Sequence, residues 1–266
     1  TLGIKNYQDL SFKTTPDIFS VYKALDRYYK NKVEIVIMEV TSHALDQERL
    51  AGLFFQQTIF TNLTQDHLDY HQNITNYKKA KAKLFTKNKT KFAIINKDDK
   101  YYDYFANIDK DVDKDFFSIN ALQYYHTRNQ GFLCMLDDVI FEIPLLGEFN
   151  LSNIMASIHS LTKLGYTKAQ ILPHISNIKA PSGRMEKITG HKIWIDYAHT
   201  PDALHCAIKS LAAHYQDAKI KIVFGCGGDR DASKRAKMGE IASNFAYDII
   251  ITNDNPRNEN PEKIIS

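Results

Sequence analysis

The chain has 266 residues, of which 44% are hydrophobic and 24% are charged, and its formal net charge is +3. This composition is typical of a soluble globular protein with one large or two ordinary domains. The small net charge gives no reason to expect a nucleic-acid partner, and no run of eighteen apolar residues suggests a transmembrane helix. Three cysteines without metal-ligand spacing fit a reducing compartment, so we expect a cytoplasmic protein.

Apolar runs alternate with helical patterns over the first two thirds of the chain. The predicted strands cover residues 33–40, 58–63, 91–96, 116–120, 131–136 and 139–145. The predicted helices cover residues 76–85, 150–164 and 167–178, the last with Thr167 as its N-cap. An Asp137-Asp138 turn joins the last two strands. Strands that alternate with helices favour an α/β fold with a mainly parallel sheet.

A loop-forming segment, Ala180-Pro181-Ser182-Gly183, interrupts this pattern and is the predicted domain boundary. We therefore expect two domains, residues 1–179 and 180–266. A fresh α/β series follows the boundary, with strands at 192–196, 219–224 and 248–252 and helices at 201–215 and 234–246. About three strands are fewer than a doubly wound sheet usually has, so this domain is expected to be truncated.

Two adjacent predicted strands end in metal-binding residue types. Glu39 closes the first strand, and His67 lies in the acidic, histidine-rich turn that follows the second. Ligands in open α/β sheets gather at the carboxyl ends of strands, so this pair indicates a Mg²⁺ or phosphate site. The alternative is that Glu39 caps a helix starting near Ser42 and that His67 is an ordinary turn residue.

Nine short motifs occur along the chain, in the order TTPD, MEVTSHALDQ, FTNLTQDHLDYH, YKKAKAKLF, LLGEFNLSN, SGRME, DYAHTPDAL, FGCGGDRD and DNPR. This ordered set resembles the Mur ligase family, ATP-dependent enzymes that add amino acids to the peptidoglycan precursor. The resemblance implies a central mononucleotide-binding domain with a P-loop-type parallel sheet, followed by a Rossmann-like α/β domain. The phosphate-loop pattern G-x-x-x-x-G-K-[ST] does not occur in these residues, and residue 1 is not Met. We therefore expect an internal piece of a longer protein that is inactive alone.

The same resemblance assigns a catalytic and metal-binding role to Lys81, Glu39 and His67. It implies that Lys81 reacts with CO₂ to form a carbamate, which then ligates Mg²⁺ together with Glu39 and His67. A neutral amine is required for this reaction, and burial favours the neutral form of a lysine. The alternative for this lysine-rich helix is an ordinary solvated face.

The resemblance also implies a set of ATP contacts. Asn150 and Asn153 are expected to contact adenine, whose edge carries both donors and acceptors. Contacts to the rest of the nucleotide are expected from Arg184, Asp196 and His199. The alternatives are that Asn150 is a helix N-cap and that Thr200-Pro201 is simply a helix start.

Polar side chains near the first strand are implied to bind the UDP-muramoyl-dipeptide acceptor. They are Thr14, Thr15, Thr41, Gln47 and Arg49. Hydroxyl groups hydrogen-bond carboxylates and amides, and arginine binds a carboxylate through two parallel hydrogen bonds. The alternative reading of residues 14–17 is a helix N-terminus.

The amino-acid substrate is implied by residues of the last two motifs, which are Arg230, Asp254, Asn255, Pro256 and Arg257. Family members with this tetrapeptide add meso-diaminopimelate, and those that add lysine lack its arginine. The distal carboxylate of diaminopimelate gives the arginine a partner that lysine does not offer. The alternative is a plain Asn-Pro turn.

The implied activity is an ATP-dependent ligase that joins meso-diaminopimelate to UDP-N-acetylmuramoyl-L-alanyl-D-glutamate through an acyl phosphate. Mg²⁺ and ATP are the expected cofactor and co-substrate, and we expect a bacterial monomer with small-molecule partners only. Three alternatives stay open: a folylpolyglutamate synthase-like ligase, a lysine-adding ligase, and a binding module without catalytic activity.

Overall fold

The structure, a computed structural model, describes residues 14–266. Residues 14–179 are called the N-terminal part below, and residues 180–266 the C-terminal part. The described strands are β1 (Phe55–Phe60), β2 (Thr90–Asn96), β3 (Asp113–Phe117), β4 (Tyr124–Arg128), β5 (Gly131–Leu136), β6 (Val139–Ile143), β7 (Glu186–Lys187), β8 (Trp194–Ile195), β9 (Lys221–Phe224) and β10 (Asp248–Ile251). The described helices are α1 (Ile18–Lys30), α2 (Ser42–Asp46), α3 (Leu68–His71), α4 (Ile74–Ala82), α5 (Tyr102–Ala106), α6 (Glu148–Lys163), α7 (Lys168–Ile175), α8 (Pro201–His214), α9 (Ser233–Phe245) and α10 (Pro261–Ile265).

A parallel sheet with strand order β1-β2-β3 forms the centre of the N-terminal part. Its middle strand is buried on both faces, because Ile94 packs into one apolar cluster while Ala93 and Ile95 pack into another. A near-continuous apolar run is the pattern expected of such a strand. The predicted parallel α/β architecture is confirmed.

The cluster around Ile94 joins the parallel sheet to an antiparallel sheet and two helices. The order of this second sheet is β4-β5-β6, and α6 and α7 contribute Leu151 and Leu172 to the shared core. Asp137 and Asp138, at the turn between β5 and β6, both have positive φ, 50° and 62°. Such angles match the right-handed twist of a hairpin, so the predicted turn is confirmed.

The strand predicted over residues 33–40 is absent from the described structure. Its apolar side chains are largely exposed, with Ile35 at 54% and Ile37 at 66%. A strand requires hydrogen bonds to a neighbour, and this segment pairs with none of the strands within residues 14–266. The apolar pattern alone was therefore not sufficient to predict secondary structure here.

Two helix starts follow the capping chemistry of their sequences. Asp17 caps α1, with its carboxylate accepting a hydrogen bond from the Ser20 amide at 3.0 Å. Thr41 caps α2 through the Ala44 amide at 3.2 Å. The suggestion that Glu39 caps this helix is therefore wrong, because the hydroxyl two residues later occupies that position.

The C-terminal part contains a parallel pair, β9 and β10, with α8 and α9 packed beside it. Pro201 stands in the first turn of α8 and Thr200 caps it, as the sequence predicts. The strand predicted at 192–196 is reduced to β8, which pairs antiparallel with β7 rather than joining β9. The short connection between them includes Gly190 at φ +80°, and a connection of this length allows only an antiparallel return. Among residues 14–266, no helix combines the length and apolar character needed to cross a bilayer.

Candidate functional site

The candidate site is centred on the turn that follows β1. The Oδ1 atom of Asp66 accepts a hydrogen bond from the His67 amide at 2.8 Å, and its Oδ2 lies 3.4 Å from Nε2 of His67. His67 has a left-handed backbone, φ 55°, at the start of α3. Burial lowers the pKa of His67 against the opposing charges of Asp66 and Asp69, which favours a neutral imidazole.

Lys81 reaches the same region from α4. Its Nζ lies 5.2 Å from the centroid of the Tyr77 ring, and the His67 ring lies 5.9 Å from that same ring. Burial lowers the pKa of Lys81, although the charge of Asp66 opposes the shift. The structure therefore brings Lys81 and His67 to one buried aromatic side chain and favours neutral forms of both.

Glu39 stands apart from this pair. Its carbonyl oxygen accepts a hydrogen bond from the Thr15 hydroxyl at 2.9 Å. Its side chain is exposed and makes no hydrogen bond or ion pair with any residue between 14 and 266. The three residues predicted to share a metal are therefore only partly brought together.

The donor chemistry nevertheless fits a hard cation. An imidazole and an amine whose pKa values are lowered by burial, together with a carboxylate, suit metal ligation and carbamate formation. In the described part of the chain, no ready-made group of three histidine, cysteine or acidic side chains is arranged to hold a metal.

A contact with the C-terminal part places a second histidine beside Asp66. Nε2 of His199 lies 3.6 Å from Oδ2 of Asp66. The contact with Asp66 raises the pKa of His199 despite partial burial. Burial by itself raises the pKa of Asp66, but His199 and His67 outweigh it and lower the value to about 2. A carboxylate that favours its ionised form therefore lies between two imidazoles.

The other two predicted nucleotide contacts of the C-terminal part lie beside His199. The Arg184 guanidinium stacks 5.0 Å from the centroid of the Tyr197 ring, and the carbonyl of Tyr197 lies 3.0 Å from Nδ1 of His199. Asp196 accepts a hydrogen bond from the Met185 amide at 2.9 Å. Arg184, Asp196 and His199 therefore form one group around the strand end at β8.

The remaining predicted ATP contacts lie at the start of α6. Asn150 donates to the carbonyl of Leu146 at 2.8 Å, and Asn153 donates to the side chain of Asn150 at 3.2 Å. The N-cap of this helix is Gly147, so the alternative role of Asn150 as N-cap is wrong. Asn96 donates to Ser152 at 3.3 Å and to the carbonyl of Thr61 at 2.6 Å, which places this helix start at the carboxyl ends of β1 and β2.

Four of the five residues predicted to bind the UDP-muramoyl-dipeptide acceptor are connected by hydrogen bonds. The Thr15 hydroxyl accepts from the Thr41 amide at 3.0 Å, and Arg49 donates to the carbonyl of Thr15 at 2.9 Å and to the side chain of Gln47. Gln47 in turn donates to the hydroxyl of Tyr70 at 3.2 Å, which connects the network to α3. Thr14 is exposed and joins none of these described contacts.

Residues predicted to bind the amino-acid substrate pack against the glycine-rich loop that follows β9. Arg257 donates to the carbonyl of Gly228 at 2.5 Å, and the Gly228 amide donates to the carbonyl of Asn255 at 2.9 Å. A Cβ added at Gly228 would lie 1.9 Å from the carbonyl oxygen of Pro256, so only glycine fits there. Asp254 packs against Gly225 in the same way, whereas Arg230 is exposed.

The structure adds three residues that the sequence did not single out. Asp66 directly precedes His67, and an acid beside a histidine is a usable signal for a shared site. Tyr77 lies one helical turn before Lys81, a spacing that predicts a shared face. His214, at the end of α8, accepts a hydrogen bond from the Gly147 amide at 3.1 Å, and no sequence pattern pointed to it.

Comparison with known proteins covers nearly all of the chain. Residues 1–161 match the family model of the Mur ligase middle domain, and residues 183–266 match that of the Mur ligase, glutamate ligase domain. Two relatives are named UDP-N-acetylmuramoyl-L-alanyl-D-glutamate--2,6-diaminopimelate ligase. The protein from Fusobacterium nucleatum is 40% identical over 94% of this chain and 54% of its own length. The protein from Pseudomonas aeruginosa is 38% identical over 100% of this chain and 58% of its own length.

A solved structure of an enzyme with this name is also similar, with 33% identity and a TM-score of 0.67 over 94% of this chain and 54% of the other. Folylpolyglutamate synthase of Mycobacterium tuberculosis, complexed with ADP, has a TM-score of 0.59 at 18% identity over 76% and 48% of the two chains, which is likeness of fold alone. The chain spans about half the length of the curated relatives it matches. Because the two family models together account for most of its residues, the chain belongs to the Mur ligase family.

Proposed function

We propose that the full-length protein containing this chain is an ATP-dependent ligase that joins meso-diaminopimelate to UDP-N-acetylmuramoyl-L-alanyl-D-glutamate. Relatives at 40% and 38% identity carry the name of that activity. The observation that carries the proposal is the contact between Asp66 and His199. It joins the region of His67 and Lys81 to the residues proposed to contact nucleotide.

The proposed reaction has two steps. The γ-carboxylate of the D-glutamyl residue attacks the γ-phosphorus of ATP, which gives an acyl phosphate and releases ADP. The amino group of diaminopimelate then attacks the acyl carbon, forms the amide, loses a proton and releases inorganic phosphate. Catalysis of phosphoryl transfer consists mainly of positioning and charge stabilisation.

The residues of the N-terminal part are proposed to hold the acceptor and the metal. The network of Thr15, Thr41, Gln47 and Arg49 offers hydroxyl, amide and guanidinium donors to the acceptor. Glu39, His67 and the carbamate of Lys81 would hold Mg²⁺, with the exposed Glu39 carboxylate turning toward them. The bound cation would neutralise charge on the transferred phosphoryl group.

The C-terminal part is proposed to contribute nucleotide and amino-acid contacts. Arg184, Asp196 and His199 lie together at the contact between the two parts. Arg257, supported by the glycine-rich loop, is proposed to bind the distal carboxylate of diaminopimelate.

The test is substrate-dependent phosphate release by the full-length protein. ATP is supplied with the UDP-muramoyl dipeptide and with either meso-diaminopimelate or L-lysine, and the product is identified by mass. We expect release only with both substrates and strong preference for diaminopimelate. Preference for L-lysine would replace the proposed substrate, and turnover with a folate and glutamate instead would favour a folylpolyglutamate synthase.

A further inference from the structure

His214 is a buried histidine outside the residues proposed to bind substrates. It lies in the last turn of α8, in the C-terminal part, and only 3% of it is exposed. Both ring nitrogens contact the backbone of the N-terminal part. Nδ1 lies 2.5 Å from the carbonyl oxygen of Arg128, and Nε2 lies 3.1 Å from the amide nitrogen of Gly147. The ring also packs edge-on against Phe132, at 4.7 Å between centroids.

These two contacts define the protonation state of the ring. A carbonyl oxygen can only accept a hydrogen bond, so Nδ1 of His214 carries the proton and donates to Arg128. A backbone amide can only donate, so Nε2 is unprotonated and accepts from Gly147. The arrangement therefore requires the neutral imidazole with its proton on Nδ1. Burial lowers the pKa of His214 and favours that neutral form, against the Arg128 contact.

Gly147 is held closely from the same side. Its φ of +87° is a left-handed conformation, and an added Cβ would lie 2.6 Å from Oγ of Ser210, one turn before His214 on α8. The helix of the C-terminal part thus lies directly against the N-cap of α6. The carbonyl of Gly147 accepts from the Asn150 amide at 2.9 Å, so the position of Gly147 determines where Asn150 stands.

We propose that His214 is a positioning residue of the nucleotide site, which holds Gly147 and thereby the Asn150 end of α6 in place against the C-terminal part. The inference rests on the proposed function, in which Asn150 and Asn153 contact adenine. His214 itself touches no substrate. It acts by setting the backbone from which those two amide side chains project.

Two substitutions separate the two hydrogen bonds. In His214→Gln, the side-chain oxygen is able to accept from Gly147 while the donor to Arg128 is lost. In His214→Asn, the shorter amide is able to donate to Arg128 but does not reach Gly147. His205→Gln is the matched control, because His205 lies on the same helix and packs against Phe245 within the C-terminal part.

Two measurements are made on the full-length protein. Amide hydrogen exchange of residues 146–151 reports whether the start of α6 is held, and this does not depend on any activity. The KM for ATP and kcat report whether the nucleotide site is affected. We expect His214→Asn to speed exchange at Gly147 and Asn150 and to raise the KM for ATP about tenfold, with kcat changed less than about threefold. His214→Gln and His205→Gln should stay within about threefold of the unsubstituted protein in KM.

The outcomes distinguish this inference from the proposed function. Unchanged exchange in His214→Asn overturns the inference, whatever the activity. Faster exchange with an unchanged KM for ATP in an active enzyme overturns the link to the nucleotide. Should His214→Asn fail to fold, fast exchange in His214→Gln would overturn the assigned role of Nε2, and slow exchange would support it. If the unsubstituted protein shows no ATP-dependent ligation, the proposed function fails, and exchange still decides whether His214 holds α6.

Discussion

Asp66 and His199 lie 3.6 Å apart although they belong to regions that match two different family models. The same carboxylate lies 3.4 Å from His67. Asp66 therefore connects the turn after β1 to the C-terminal part. Its pKa, lowered to about 2 by the two imidazoles, favours the ionised form at neutral pH.

The first prediction concerns this carboxylate. Asp66→Asn keeps the shape of the side chain but removes its charge, so the pKa of His199 should fall and the two parts should be less well aligned. We expect kcat/KM of the full-length protein to fall roughly 10- to 100-fold, because both imidazoles lose the charge that they face. Steady-state kinetics and NMR titration of His199 measure the two effects. Asp69→Asn, at an exposed neighbour, should change little; equal losses in both variants would contradict a specific role of Asp66.

The second prediction concerns Lys81. Lys81→Ala should lower activity roughly 100-fold or more, since it removes a group proposed to stabilise transferred charge. Short carboxylates such as formate or acetate should restore part of the activity by replacing the carbamate. Phosphate release with and without added carboxylate is the measurement. Lys79→Ala is the control, because Lys79 lies exposed on the same helix. Full activity of Lys81→Ala would remove this residue from the site.

The third prediction concerns substrate choice. Arg257→Ala should lower the preference for meso-diaminopimelate over L-lysine by roughly 10- to 100-fold, because the distal carboxylate loses a charged partner. The ratio of kcat/KM for the two amino acids is the quantity to measure. Lys263→Ala, which removes an exposed cation from α10, should leave the ratio unchanged. An unchanged ratio in Arg257→Ala would overturn the assignment.

The fourth prediction is a pH dependence of stability that arises from His214. Burial lowers its pKa in the folded protein below the ordinary 6.5, so its contribution is present above pH 6.5 and is lost as the pH falls through the folded value. The unfolding free energy should therefore fall more steeply between about pH 7.5 and about pH 5.5 in the unsubstituted protein than in His214→Gln. Urea denaturation at both pH values gives the comparison, and parallel pH profiles would contradict it.

Two charged residues on elements that pack against the end of α8 are already paired. Arg128 of β4 binds Glu142 at 2.7 Å, and Glu148 at the start of α6 accepts from the Tyr125 hydroxyl at 2.9 Å. Carboxylates ordinarily titrate below the pH range of this test. The difference between the unsubstituted protein and His214→Gln therefore reports on the imidazole.

The fifth prediction compares glycines in similar backbone conformations. Gly147→Ala should cost at least about 2 kcal/mol more than Gly165→Ala in unfolding free energy. Both glycines have positive φ, +87° and +97°, but an added Cβ meets Phe149 and Ser210 only at Gly147. Gly239→Ala, in open space within α9, should instead stabilise by roughly 0.5–1 kcal/mol. Equal costs at Gly147 and Gly165 would show that the close approach of α8 is not important.

The sequence correctly predicted the elements that depend on signals within or next to the element itself. The hairpin of β5 and β6 and the capped helices α7 and α8 follow directly from turn and capping residues, whereas α6 follows from its helical periodicity and lacks a side-chain cap. The start of α1 stood only as the alternative reading of residues 14–17, although Asp17 as N-cap and the apolar spacing of Val21, Leu25 and Tyr28 are signals for the helix. The predicted strand at 33–40 was wrong because strand formation also depends on a partner that an apolar pattern does not reveal.

The sequence predicted which residues belong to the candidate site, but not how they are arranged in space. The motifs identified Lys81, His67 and His199 one by one, and they gave no information on distances between segments far apart in sequence. Contacts such as Asp66 with His199 and His214 with Gly147 depend on how helices and sheets pack, which no local pattern encodes. Sequence reasoning therefore missed contacts between distant segments, such as that of His214 with the Gly147 amide.

The antiparallel meander of β4, β5 and β6 has a consequence for the order of folding. Its strands are joined by tight connections, so they pair at a small entropic cost of loop closure. The parallel strands β1, β2 and β3 are instead separated in sequence by helical segments, and pairings between distant segments form slowly. The meander is thus suited to form early and to offer a template on which α6 packs.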